Sequence, residues 1–312
     1  MRLLRAAIAA ALAGPVVVVI GTQDASAYCR TTVDENFAPT DAVPCDTHSR
    51  PIAWPTSCVG FDVNQNASVQ IDLATARAVV LRQFKTWSGV DCPADLGTCG
   101  GAASGHPTIT VSDLGPVKCN AAEYNDGAGN QNLITFYDTT WPHTDGASTL
   151  ALTTVTFSIA TGDIYDADIE VNSTPGTPLG DTAANPRVYD FESIIGHESG
   201  HFLGLSHTQP ANTTSTMYGR YKEGATFMRG RSADDACGMC NVYPPTRKAA
   251  CDTRPHNGFA TECSGNAPAT TKSGCHCGVV GNGRLGLGEG AIFGAASALI
   301  FGLARRRRRR AA

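Results

Sequence analysis

Apolar residues recur along this chain at two spacings, and each spacing predicts a different element. Val59, Phe61 and Val63 alternate with smaller or polar neighbours, which predicts a strand over Cys58–Val63 because alternate side chains of a strand share one face. Short β runs follow at Thr108–Ser112 and Leu133–Tyr137. A longer pair, Thr149–Phe157 and Ile164–Val171, flanks the turn Ala160-Thr161-Gly162-Asp163. Elsewhere the spacing is helical. Leu73, Ala76, Val79, Val80, Phe84 and Trp87 fall on one helix face behind Asp72, a suitable N-cap. A second helix is predicted from Asp190 as cap, with Glu192 in its first turn, through Ile194 and Ile195 to Phe202. A third fits Ser232–Val242. Strands and helices are segregated rather than alternating, so the class expected is α+β.

The two ends do not belong to this pattern. Arg2 and Arg5 precede an apolar stretch from Ala6 to Ile20 and then Ala25-Ser26-Ala27, the three parts of a signal peptide, so the mature chain is expected to start near Tyr28 and to be exported across the inner membrane. Residues 28–50 form a short polar N-terminal extension, and Pro244 to Gly274 a polar stretch read as a linker from 247 to 274, with Cys251 and Cys263 available to staple it. The last segment, 275–312, joins Cys275-His276-Cys277 to a Gly/Ala-rich apolar stretch and the cluster Arg305–Arg310.

Cysteine content agrees with export. Ten of the twelve cysteines lie between residues 29 and 263, an even number able to close as disulfides in an oxidising compartment. Cys237-Gly238-Met239-Cys240 is a lone C-x-x-C, for which structural bridging is the expected use. The net charge of −4 divides into +1 for residues 1–27, +6 for 275–312 and −11 for the body between them. An acidic body has no electrostatic footprint for nucleic acid.

Residues 197–207 read His-Glu-Ser-Gly-His-Phe-Leu-Gly-Leu-Ser-His and begin inside the second predicted helix. His197 and His201 stand one turn apart, so their imidazoles converge on one metal ion. Gly204 marks where the helix stops, since glycine takes left-handed backbone angles without penalty, and the turn brings His207 back as third ligand. Three protein ligands with one position left for water is the pattern of a catalytic zinc, and Glu198 sits beside the ligand face as general base. A buried helix with incidental histidines leaves Gly204 without a reason. A zinc retained as a structural prop on an inactive scaffold is the stronger alternative, and the intact Glu198 counts against it.

The motif H-E-x-x-H-x-x-G-x-x-H followed by Ser215-Thr216-Met217-Tyr218 resembles the metzincin zinc metalloproteases, whose Met-turn methionine packs beneath the zinc. Among them the chain looks most like the matrixin group, over roughly residues 51–246. The resemblance implies a zincin-like catalytic domain: a twisted mixed β-sheet, an active-site helix, the Met-turn at Met217 and a closing C-terminal helix near Asp234-Asp235. It further implies that an extended peptide adds to the upper edge strand at Thr149, Leu150, Ala151 and Leu152, and that Tyr221 lines the pocket for the side chain after the cut. Where the group has Met-Tyr-Pro-x-Tyr, this chain has Met217-Tyr218-Gly219-Arg220-Tyr221, so the stiffening proline is missing. Val43-Pro44-Cys45-Asp46 is similar to the cysteine segment that silences matrixin proenzymes, but a disulfide is the expected state of Cys45. Asn125-Asp126-Gly127 with Glu123 and Asn130 offers oxygen ligands for calcium and equally the makings of an ordinary turn. His48, His106, His143, His256 and His276 receive no role.

The C-terminal segment resembles sorting signals of the MYXO-CTERM type, which implies cutting near Cys275 or Cys277 by processing machinery and attachment to the cell envelope; a simple membrane anchor is the alternative. The function expected is a secreted or envelope-associated zinc endopeptidase. Its rival is a metzincin-shaped surface module that grips extended peptides without cutting them, and a zinc hydrolase of other amides is a third reading.

Overall fold

The alternating stretches pair into one mixed sheet. In the computed structural model, which describes residues 28–34, 36–37, 40, 42–93, 104–144, 146–261, 263 and 275–281, its strands are β2 (Cys58–Asn64), β3 (Thr110–Val117), β4 (Leu133–Tyr137), β5 (Thr149–Phe157), β6 (Ile164–Asn172), β10 (Arg220–Tyr221) and β11 (Cys275–Gly281). Their order across the sheet is β3-β2-β4-β6-β5-β11-β10. β3, β2, β4 and β6 run parallel, β5 returns antiparallel to β6, β11 is antiparallel to β5, and β10 is parallel to β11. Short pairs β1 (Cys29–Arg30) with β9 (Leu205–Ser206) and β7 (Leu179–Gly180) with β8 (Tyr189–Asp190) lie outside it. The expected signal segment 1–27 and the apolar and arginine-rich stretch after 281 lie outside the described residues.

Helices α1 (Leu73–Ser88) and α2 (Phe191–Phe202) pack together and against the sheet; α3 (Ala233–Val242) closes the domain. In α1, Asp72 caps the helix by accepting from Thr75 N, and Ala76, Val79, Val80, Phe84 and Trp87 are buried, the face that the 3.6-residue spacing predicts. Phe84 joins Phe61 of β2 to Phe202 of α2, at ring-centroid separations of 5.4 and 4.9 Å. This aromatic chain ties helix to sheet. Trp87 Nε1 donates to the Gly196 carbonyl at 2.8 Å, locking α1 against the middle of α2. The α+β class is that expected from the sequence, and the mixed sheet with a closing helix is that implied by the resemblance.

Three expectations are corrected. β3 runs on to Val117 rather than ending at Ser112. Gly115 and Pro116 read as strand breakers, but β3 is the last strand of the sheet, where a missing proline N–H leaves no partner unpaired. Residues 247–263, read as a linker, are fastened to the body by Cys58–Cys251 and Cys119–Cys263 instead of being stapled to each other. Similarly, the N-terminal extension is tied in by the β1–β9 pair, and Cys29 bonds Cys45, the disulfide expected for that residue. Finally, β5 is not an outer edge: β11 covers the side that β6 leaves open.

Candidate metal centre

The site is built on α2, which is buried from Ser193 to Phe202. Asp190 caps it, accepting from Ser193 N at 2.9 Å and from Arg229 Nε at 2.8 Å. Burial works against ionisation of Asp190, but Arg229 and Ser193 outweigh it and hold the carboxyl below its usual range. The helix therefore starts from a fixed, charged anchor.

His197 and His201 project from α2 with Nε2 atoms 3.0 Å apart. Gly204, at φ +91°, ends the helix, and a side chain there would stand 2.9 Å from the Ile52 carbonyl as well as being strained. The chain passes through β9 and returns His207, whose Nε2 lies 3.2 Å from that of His197. Tetrahedral ligation at about 2.0–2.1 Å sets nitrogens roughly 3.3 Å apart, so the three atoms already have nearly the spacing zinc requires. Their protonation fits as well. His197 Nδ1 meets the Thr216 carbonyl at 2.7 Å and His201 Nδ1 the Leu205 carbonyl at 2.9 Å. A carbonyl only accepts, so the proton sits on Nδ1 and each Nε2 keeps its lone pair. Burial lowers His201 to about 3 and His207 to about 4, and burial with the neighbouring histidines holds His197 far below its ordinary value. Two Nε2 lone pairs held face to face at 3.0 Å repel unless a cation lies between them. Among the described residues this is the group able to hold a metal ion.

Glu198 is fully buried beside the histidines. Its Oε2 accepts from Thr153 Oγ1 at 2.6 Å, while Oε1 has no partner. Burial raises its pKa to about 8, opposed by the Thr153 hydroxyl. Thr153 was not singled out from the sequence, because a threonine in a strand reads as ordinary β propensity. Its role appears only once β5 and α2 meet.

Met217 packs under α2 at Gly200, where a Cβ would lie 2.2 Å from the Met217 sulfur. The Met-turn is held by Asp235, whose Oδ1 accepts from Ser215 Oγ at 2.6 Å and Oδ2 from Thr216 N at 2.9 Å. The same carboxylate completes a capping box with Ser232 at the start of α3. One side chain thus fixes both the helix and the loop that orients His197. Gly219 replaces the proline of the matrixin pattern beside the His207 ring: a Cβ there would stand 3.0 Å from His207 Nδ1. Tyr221 is buried, donating its hydroxyl to the Ala225 carbonyl and accepting from Asp190 N at 3.3 Å. It offers a fixed wall, with its hydroxyl already engaged. Leu150, Ala151 and Leu152 are buried and Thr149 half-buried, and all four lie in β5, the strand paired with β11.

The calcium expectation is not supported. Asn130 spends its amide on the main chain of its own loop and of the segment after α3, its oxygen accepting from Asn125 N at 2.6 Å and its nitrogen sharing its hydrogens among the carbonyls of Asn125, Ala128 and His256. A side chain engaged on both atoms is a turn staple. Cys240 bonds Cys92 and Cys237 is also disulfide-bonded, so the C-x-x-C is structural, as expected.

A comparison with curated proteins finds no match. Residues 115–244, which run from β3 through the three histidines and the Met-turn to the end of α3, match the family model described as matrixin, and this match supports a matrixin-like metalloprotease domain.

Proposed function

We propose that this protein is a zinc-dependent endopeptidase, exported and held at the cell envelope. One observation carries the reading: the Nε2 atoms of three imidazoles converge on a common point beside the buried Glu198 side chain, one of whose carboxyl oxygens is free. When bound there, zinc supplies Lewis acidity that acidifies water and polarises a carbonyl. His197, His201 and His207 would hold it, with the carbonyls of Thr216 and Leu205 fixing two of the rings. Thr153 anchors Glu198 Oε2 and so aims Oε1. From there Glu198 takes the proton of the attacking water and delivers it to the leaving amide nitrogen. With β11 displaced, β5 supplies main-chain groups for a peptide laid out as a strand, giving affinity that depends little on side chains. Export is supported by the disulfides, which persist in oxidising compartments. The N-terminal signal pattern and the C-terminal resemblance to sorting tails support envelope attachment.

The test is substitution with metal analysis. Glu198→Ala should retain zinc but lose at least about 10²-fold in hydrolysis of a denatured protein, the scale of a positioned general base. His201→Ala should lose zinc as well. Full activity in the first variant, or normal zinc content in the second, would contradict these assignments. Substrate bound but left intact by the zinc-loaded wild type would favour a peptide-gripping module.

A further inference from the structure

We propose that residues Cys275–Gly281 are a built-in occupant of the peptide groove, a tail strand that blocks the site in cis; this rests on the endopeptidase reading. The resemblance to matrixins implies that the open side of β5 takes an incoming peptide. In the structure that side is filled. β11 runs antiparallel to β5, with Cys275 opposite Val155, His276 opposite Thr154, Cys277 opposite Thr153, Gly278 opposite Leu152 and Val280 opposite Thr149. Its other side is parallel to β10, Val280 opposite Arg220 and Gly281 opposite Tyr221. The tail therefore lies between β5, which carries Thr153 beside Glu198, and β10, which follows Met217.

Register brings this strand past the reacting groups. Cys277 stands opposite Thr153, the residue whose hydroxyl holds Glu198 Oε2 at 2.6 Å, and α2 lies against β11. Exclusion follows from hydrogen-bond arithmetic. Each main-chain N–H and C=O of β5 that faces the groove can pair with one strand at a time, so a peptide adding there has to displace β11. Covalent anchoring favours the tail in that competition. Cys263 is bonded to Cys119, and only residues 264–274 separate it from β11. A tether this short sets an effective concentration on the order of millimolar, so even a strand of modest intrinsic affinity stays seated against micromolar substrate.

The test uses the chain from Tyr28 to Ala312, uncut at Cys275 and Cys277, carrying His276→Pro and Cys277→Pro together. Adjacent positions send their N–H groups to opposite sides of a strand, so one of the two prolines removes a donor to β5 whatever the phase. Hydrolysis of an extended peptide should rise at least about 10-fold in kcat/KM, most of it in KM, and a synthetic peptide spanning residues 273–283 should inhibit the variant competitively. Amide exchange in Leu150–Val155 should speed up in the variant and slow again when the peptide is added. Equal kcat/KM in the two proteins would overturn the tail assignment while leaving the endopeptidase reading intact, as would a tail cut by its own site rather than seated in it. If neither protein hydrolyses peptide, the endopeptidase reading fails; unchanged exchange at β5 in the variant would then overturn groove occupancy separately.

Discussion

Single residues in this fold place ionisable groups where water hardly reaches, and Asp62 shows the pH signature this leaves. Asp62, in the middle of β2, is buried with Oδ2 unpartnered. Burial, with a contribution from nearby Asp113, raises its pKa to about 6. A carboxyl raised in the folded state binds its proton more tightly there than in the unfolded chain, where it titrates near about 4. Its contribution is therefore fully present below about pH 4 and is lost as pH rises through 6. Asp62→Asn should stabilise the protein by roughly 1–3 kcal/mol at pH 7.5 and by almost nothing at pH 4, measured as unfolding free energy at both. An equal effect at the two pH values would show that ionisation is not the cause. Glu198 is the contrasting case: it too is buried with one free oxygen, but Thr153 fixes the other and three imidazoles stand alongside.

At the scale of elements, the three histidines depend on how α2, the turn at Met217 and α3 brace one another. Asp235 joins them, capping α3 through Ser232 and binding Ser215 and Thr216 of the turn. Thr216 in turn fixes the His197 ring through its carbonyl. Outer partners of this kind tune metal affinity about 10–100-fold. Asp235→Ala should weaken zinc binding by that factor in competition with a chelator, and should also lower the melting temperature through the lost cap. Unchanged zinc affinity would mean that the turn is positioned without Asp235. The sequence predicts a helix over Ser232–Val242; that Asp235 both caps it and reaches back to the loop beside the three histidines follows only from the packing of α3.

On the scale of the whole molecule, covalent closure links distant parts of the chain. Cys58–Cys251 spans 193 residues and Cys119–Cys263 spans 144. Loops of this length are costly to close in the unfolded state, and replacing Cys58 and Cys251 by serine should cost about 2–4 kcal/mol in unfolding free energy. A loss well below that would mean the segment after α3 is held by its other contacts. These bridges make residues 247–263 part of the body, and they anchor the tail that returns as β11.

What the sequence determined by itself was local and periodic. Alternation gave β2, β4, β5 and β6; the 3.6-residue spacing with Asp72 and Asp190 as caps gave α1 and α2; and a fixed run of His, Glu and Gly assembled the ligand set, because one helix turn and one glycine bend are enough to bring three imidazoles together. Tertiary structure alone decided whatever depends on which remote segments meet. Gly115 and Pro116 are tolerated because β3 is outermost, Thr153 matters because β5 crosses Glu198, Gly219 sits against the His207 ring, and cysteines far apart in the chain are brought within bonding reach. The pairing of β5 with β11 is the clearest case: strand hydrogen bonding is between main-chain groups, which every residue carries, so side-chain pattern holds almost no record of the partner a strand will take.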